Sequence, residues 1–100
     1  MSQYEGAGAI PVTLTANGAA LTKPGRLIGL LIAPTGAVTP TITVYDNTST
    51  TSGTKLATVK TLSGAPIHVA FGSEGVEAAV GVYVSADSFT TLTVTAYVKG

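Results

Sequence analysis

Cysteine is absent from the 100 residues of this chain, which excludes a disulfide framework and any thiolate zinc site. Tryptophan is absent too, and histidine and methionine occur once each. Charge is scarce. Five basic and five acidic residues make up 10% of the chain and leave no formal net charge, where an average domain has about 25% charged residues. Lys23, Arg26, Lys55, Lys60 and Lys99 are scattered, so no basic stripe exists to neutralise phosphates and no nucleic-acid partner is expected. Long apolar runs are also missing. The longest, Leu27 to Ala33, is far too short to span a bilayer, and no membrane partner is expected. The first nine residues have neither the basic nor the apolar stretch of a signal peptide, so synthesis and retention inside a cell, or release by lysis, is the expectation.

What the chain does have is alternation. In Thr91 to Val98, apolar Leu92, Val94, Ala96 and Val98 alternate with threonine or tyrosine, and Thr41 to Tyr45 repeats the pattern as Thr-Ile-Thr-Val-Tyr. A period of two fits a strand with one buried face. The Asn17-Gly18 pair predicts a hairpin joining Val12–Ala16 to Ala19–Thr22. Lys23-Pro24-Gly25-Arg26 suits a type II turn with Gly25 at positive φ. Arg26 to Ala33 is apolar on both faces and reads as a central or interface strand, where Gly29 permits close approach. Thr41–Asp46 follows, then a polar loop from Asp46 to Gly53. Lys55–Leu62 shifts its apolar phase between Leu56 and Val59, which predicts a bulge. Turns at Ser63-Gly64, Gly72 to Gly75 and Ala86 to Ser88 separate Pro66–Phe71, an Ala78–Ser85 strand burying Val80, Val82 and Val84, and the last strand. About eight strands and no helical stripe predict an all-β antiparallel sandwich, jelly-roll-like, as one domain over residues 10–100. Residues 1–9, small and glycine-rich, read as an arm: a loose tail or a tether that orders on a neighbour.

Reactive constellations are few. His68, the single histidine, is out of phase with Ile67, Val69 and Phe71 and reads as a solvent-facing or interface residue. A catalytic triad also needs a nucleophile, an oriented acid and an oxyanion hole, and no Gly-x-Ser-x-Gly turn is present. Glu74 with Glu77, or Asp46 with Asp87, offers paired carboxylates, but all four fall in or near turns, where acids are commonly solvated. Asp46, Asn47, Glu74, Glu77 and Asp87 supply hard oxygens without the spacing of a calcium loop. Gly6-Ala7-Gly8 lacks the lysine and the strand–helix setting of a phosphate loop, and Asn47-Thr48-Ser49 matches a glycosylation sequon by chance. No catalytic residue, metal site or cofactor is expected, and the chain does not read as an enzyme. Tyr45, Tyr83 and Tyr97 each fall out of phase with the aliphatics of their strands. Such tyrosines are protein contacts, sugar-stacking platforms or cross-strand pairs. With Tyr4 and Glu5 of the arm they are the candidate partner contacts.

Gly25-Arg26-Leu27-Ile28-Gly29-Leu30-Leu31-Ile32, then Pro40 to Ser49, then Gly53-Thr54-Lys55-Leu56, and finally Gly81-Val82-Tyr83-Val84-Ser85 with Leu92-Thr93-Val94, form a familiar order. Over roughly residues 25 to 98 this resembles small β-sandwich virion proteins of tailed bacteriophages, of the capsid decoration or cement type. The resemblance implies a homotrimer on the capsid surface, made in the host cytoplasm, that clamps neighbouring major capsid proteins and stabilises the shell. It carries no site over residue by residue. Another virion part, a fibre, tail or head-tip module that contacts host glycans, is the alternative, and a cellular binding module cut from a longer chain is the third.

Overall fold

The computed structural model describes residues 9–34, 40–60, 65–72, 74–87, 89 and 92–100. Among them are nine strands and no helix: β1 (Ile10–Leu14), β2 (Gly18–Leu21), β3 (Gly25–Pro34), β4 (Thr41–Tyr45), β5 (Lys55–Lys60), β6 (Ile67–Ala70), β7 (Val76–Ala78), β8 (Val82–Ala86) and β9 (Leu92–Lys99). Sheet A has the order β1-β9-β3-β6, with β7 also on β3, and sheet B the order β2-β8-β4-β5. The antiparallel ladders nest. β1 pairs with β9, β2 with β8, β3 with β6 and β7, and β4 with β5. The chain is therefore one long ribbon whose tip lies between β4 and β5, and successive rungs fall alternately in sheets A and B. Rolling that ribbon sets β9 against β3 and β8 against β4. This is the expected jelly roll, with β6 and β7 together filling one strand's place beside β3.

Alternation decides which side chains enter. Ile42, Val44, Val82, Val84, Val94, Ala96 and Val98 are buried between the sheets, while the intervening threonines and tyrosines point outward. Each large aliphatic so buried stabilises the fold by about 1.5–3 kcal/mol. In β3 the phase flips. Leu27 lies opposite Val98 and Gly29 opposite Tyr97, so Ile28 is the extra residue of a bulge. Leu27 then joins Leu30 and Ile32 in the core, whereas Ile28 is buried on the outer side with Ala9, packed against Tyr97. The two-faced apolar pattern of β3 thus has two causes: an interior place in sheet A, and a bulge that serves a second, smaller cluster. The phase shift in β5 is also a bulge, since Val44 faces Ala57 and Tyr45 faces Lys55, with Leu56 between.

Three local expectations are corrected. Asn17-Gly18 does not close a hairpin, because β1 and β2 lie in different sheets and neither residue has a positive φ. The chain crosses from sheet to sheet there, and the Asn17 side-chain oxygen accepts the Ala86 N–H at 3.1 Å, tying the crossing to β8. Gly25 is not at positive φ either. It belongs to β3, and a β-carbon there would collide with the Lys99 carbonyl and the Leu21 side chain, so close packing rather than turn geometry requires glycine. Val80 is not in the core. It is 49% exposed, because the run from Ala78 to Ser85 is broken between β7 and β8. Residues 1–8 of the arm, Ser63-Gly64, Ser73, Ser88 and Thr91 lie outside the described residues.

Candidate partner-binding face

β4 and β8 place Tyr45 and Tyr83 directly opposite each other, both half-buried on the outer face of sheet B. Register extends the row to Ala19 of β2 on one side and Lys55 of β5 on the other. The next outward row contains Ser85, Thr43 and Thr58. Tyr97 is on the far side of the sandwich, opposite Pro11 and Gly29 in sheet A. Of the candidate contacts, then, the fold brings Tyr45 and Tyr83 together and sets Tyr97 apart, while Tyr4 and Glu5 lie outside the described residues. Paired tyrosines offer broad apolar rings with polar tips at low cost in side-chain entropy, which suits a contact surface.

Immediately after Tyr45, the Asp46 carboxylate accepts three successive backbone N–H groups, from Ala79 at 3.0 Å and from Val80 and Gly81 at 2.8 and 3.2 Å. The corner between β7 and β8, which carries exposed Val80, is thereby fixed to the end of β4. The Val80 N–H holds the Asp46 carboxyl below its ordinary value; desolvation opposes this, and the Gly81 and Ala79 N–H groups add to the lowering. Local sequence makes Asp46 a solvated turn acid and Val80 a core residue, and the structure corrects both. Gly81 within the supposed strand was the available signal of a break. The polar loop after Asp46 is organised rather than merely hydrophilic. Asn47 accepts from the N–H groups of Thr48, Ser49 and Thr50 at 2.7, 3.0 and 3.3 Å and donates to the Ser52 carbonyl at 3.2 Å, an Asx arrangement that stands in for backbone bonds.

The proposed carboxylate pairs resolve differently. Asp46 and Asp87 follow opposite ends of the antiparallel β4–β8 ladder. Asp87 accepts the Thr41 N–H at 3.3 Å. Arg26 donates to the Glu74 carbonyl at 3.1 Å and lies 3.7 Å from the Glu77 carboxylate. His68 is exposed on the outer face of sheet A, opposite Leu31. Among the described residues no three His, Asp or Glu side chains gather closely enough to hold a metal ion. A shallow cleft of about 400 Å³ lies between the β2–β3 corner, β7 and the end of β9, and its ionisable side chains are Arg26, Glu77 and Lys99. That set contains no nucleophile beside a base. No helix among the described residues is long and apolar enough to cross a membrane. Compared with known protein families, curated proteins and solved structures, the chain matches none.

Proposed function

We propose that this chain is a structural virion subunit, a capsid decoration or cement protein that binds and stabilises a lattice of major capsid protein. The observation that carries this reading is the Tyr45–Tyr83 pair, registered on the outer face of sheet B next to Asp46, whose carboxylate ties the β7–β8 corner to the end of β4. The work of such a protein is done by buried contact area, and a preset surface lowers the ordering cost of each contact. Many copies on one shell add avidity. The order of sequence features in residues 25 to 98 supports the same reading.

Copy number tests it first. Quantitative mass spectrometry of intact particles is expected to find hundreds of copies in a simple ratio to the major capsid protein; a handful per particle, or none, would reject the lattice role. The contact face is tested by Tyr83→Ser. Centrally placed tyrosines are frequent hot spots, so binding to capsids lacking this protein is expected to weaken about tenfold, near 1.4 kcal/mol, with the melting temperature little changed. Unaltered capsid binding would remove sheet B's face from the proposal. The second reading, a fibre or tail module on host glycans, is favoured by the adjacency of the same two rings, which can stack on a sugar. It requires few copies per particle and glycan binding that Tyr45→Ser abolishes.

A further inference from the structure

We propose that Asn17 is a site of spontaneous covalent change: the Gly18 backbone nitrogen closes on its side-chain amide, and the isoaspartyl form that results loosens β2 from β8. The step balances with water as the only reagent. The Gly18 nitrogen gives up its proton to solvent and attacks the Asn17 Cγ. A bond forms between that nitrogen and Cγ, the Cγ–Nδ2 bond breaks, and Nδ2 leaves as ammonia with a proton from water. Water then adds to either carbonyl carbon of the closed ring. Opening on one side gives aspartate. Opening on the other gives isoaspartate, whose main chain runs through Cβ and Cγ. Attacker and target in one dipeptide make ring closure unimolecular, and Gly18 has no Cβ to obstruct it.

Asn17 is exposed and lies between β1 and β2, in neither strand. Its Oδ1 accepts the Ala86 N–H at 3.1 Å, which fixes which end of the amide is oxygen. Negative charge develops on that oxygen as the ring closes, so a donor there favours the step. The leaving Nδ2 donates to no acceptor among the described residues. The chain's second asparagine, Asn47, is tied at both ends instead. Its Oδ1 accepts the N–H of Thr48, the residue whose nitrogen would attack, at 2.7 Å. Its Nδ2 donates to the Ser52 carbonyl and hydroxyl at 3.2 and 3.3 Å. Thr48 also carries a branched Cβ that crowds the approach. The same chemistry is thus open at Asn17 and closed at Asn47. Its effect falls on β2, a four-residue strand at the edge of sheet B. Gly18 is registered with Val84 and Ala19 with Tyr83. The isoaspartyl form lengthens the main chain immediately before that register and carries the acceptor away from Ala86, so the flank of Tyr83 loosens.

Nothing in this chemistry depends on a virion role, and the purified full chain tests it. Conversion adds one acid to five basic and five acidic residues and takes the formal net charge from zero to −1, so ion exchange separates the products. In mildly alkaline buffer the folded chain is expected to convert at a rate within about tenfold of the urea-unfolded chain. Fragmentation mass spectrometry should place the change at Asn17, as a mixture of aspartate and isoaspartate, with Asn47 intact. Gly18→Ala tests the attacking nitrogen. A β-carbon there meets the Leu14 Cδ2 at 3.6 Å and the Ala16 carbonyl at 3.8 Å, both ordinary contacts, so this variant folds. It is expected to convert at least about tenfold more slowly, a barrier higher by about 1.4 kcal/mol. In the isolated isoaspartyl form the Ala86 amide is expected to exchange hydrogen at least about tenfold faster than in the parent. Asn17→Asp keeps the acceptor and the main-chain length, and leaves that amide protected. A folded chain that stays intact while the unfolded chain reacts, conversion of Asn47 at the same rate, Gly18→Ala reacting as fast as the parent, or unchanged Ala86 exchange in the isoaspartyl form would each overturn the proposal.

Discussion

Gly75→Ala is expected to lower the melting temperature by about 15 °C or more. Gly75 has a φ of 65°, in the left-handed region where a β-carbon costs roughly 1–2 kcal/mol. The position is also closed. A β-carbon there would strike the Leu27 carbonyl and lie 2.8 Å from the Ile28 Cδ1. The carbonyl cannot step aside, because Leu27 is fully buried and is held between Val76 of β7 and Val98 of β9. Forcing extra volume into such packing costs a further 1–3 kcal/mol, and the sum, near 3 kcal/mol or above, converts at about 4–8 °C per kcal/mol for a domain of this size. Gly72 supplies the control. Its φ is 86°, but nothing stands within 4 Å of a β-carbon there, so Gly72→Ala is expected to show the backbone strain alone, about 1–2 kcal/mol. Thermal unfolding of the two variants side by side separates strain from collision. Equal losses would mean that the Leu27 backbone yields, and that β7 does not clamp β3 as the register indicates.

Both glycines lie in the stretch that the sequence marks as a turn, and this part of the fold was legible for a simple reason. Alternation of Leu92, Val94, Ala96 and Val98 with threonine and tyrosine leaves one face to bury, so strand identity, the core list and the sandwich all follow from a period of two. The bulge at Leu56 was legible in the same way, as a break in phase. Partnership was not. Asn17-Gly18 has the local chemistry of a hairpin, yet nested ribbon pairing sends β1 to β9 and β2 to β8, and contacts so distant in sequence leave no trace in a dipeptide. Val80 shows the same limit at the candidate site. Its neighbours in sequence are apolar and point to burial, yet it lies at the break between β7 and β8, where the backbone bonds to the Asp46 carboxylate from the end of β4. The tyrosines fall between these cases. Their outward phase was legible, while the meeting of Tyr45 with Tyr83 and the isolation of Tyr97 depend on strand order.

Asp46 is where stability and acid sensitivity should coincide. Asp46→Asn keeps one acceptor oxygen for the Val80 and Gly81 N–H groups, but it sets an amide NH2 against the Ala79 N–H and removes the charge from all three bonds. Charge-assisted bonds are worth about 1.5–3 kcal/mol where shielded; this carboxylate is near solvent, so screening reduces the expected loss for Asp46→Asn to about 1 kcal/mol at pH 7. The sign of the pH dependence follows from the direction of the shift. The folded chain holds the Asp46 carboxyl below 3.8, so at low pH the unfolded chain takes up the proton first. The stabilisation is fully present above the unfolded value of about 3.9 and is lost as pH falls through the folded one. Wild type should therefore melt well above Asp46→Asn at pH 7, with the gap closing below about pH 4 as the wild-type carboxyl protonates. Melting temperatures of both proteins from pH 7 down to pH 2 read this directly. A gap of constant size across that range would show that the loss in Asp46→Asn comes from altered packing at the corner rather than from the charge on the carboxylate. The same titration bears on the candidate face, because Asp46 directly follows Tyr45 and holds the corner that carries Val80. If the carboxylate fixes that corner, hydrogen exchange at Ala79, Val80 and Gly81 should accelerate in Asp46→Asn at pH 7 while the core of β8 stays protected. Acceleration spread evenly over β8 would instead mean that the corner and the strand open as one unit, and that Val80 is not independently positioned.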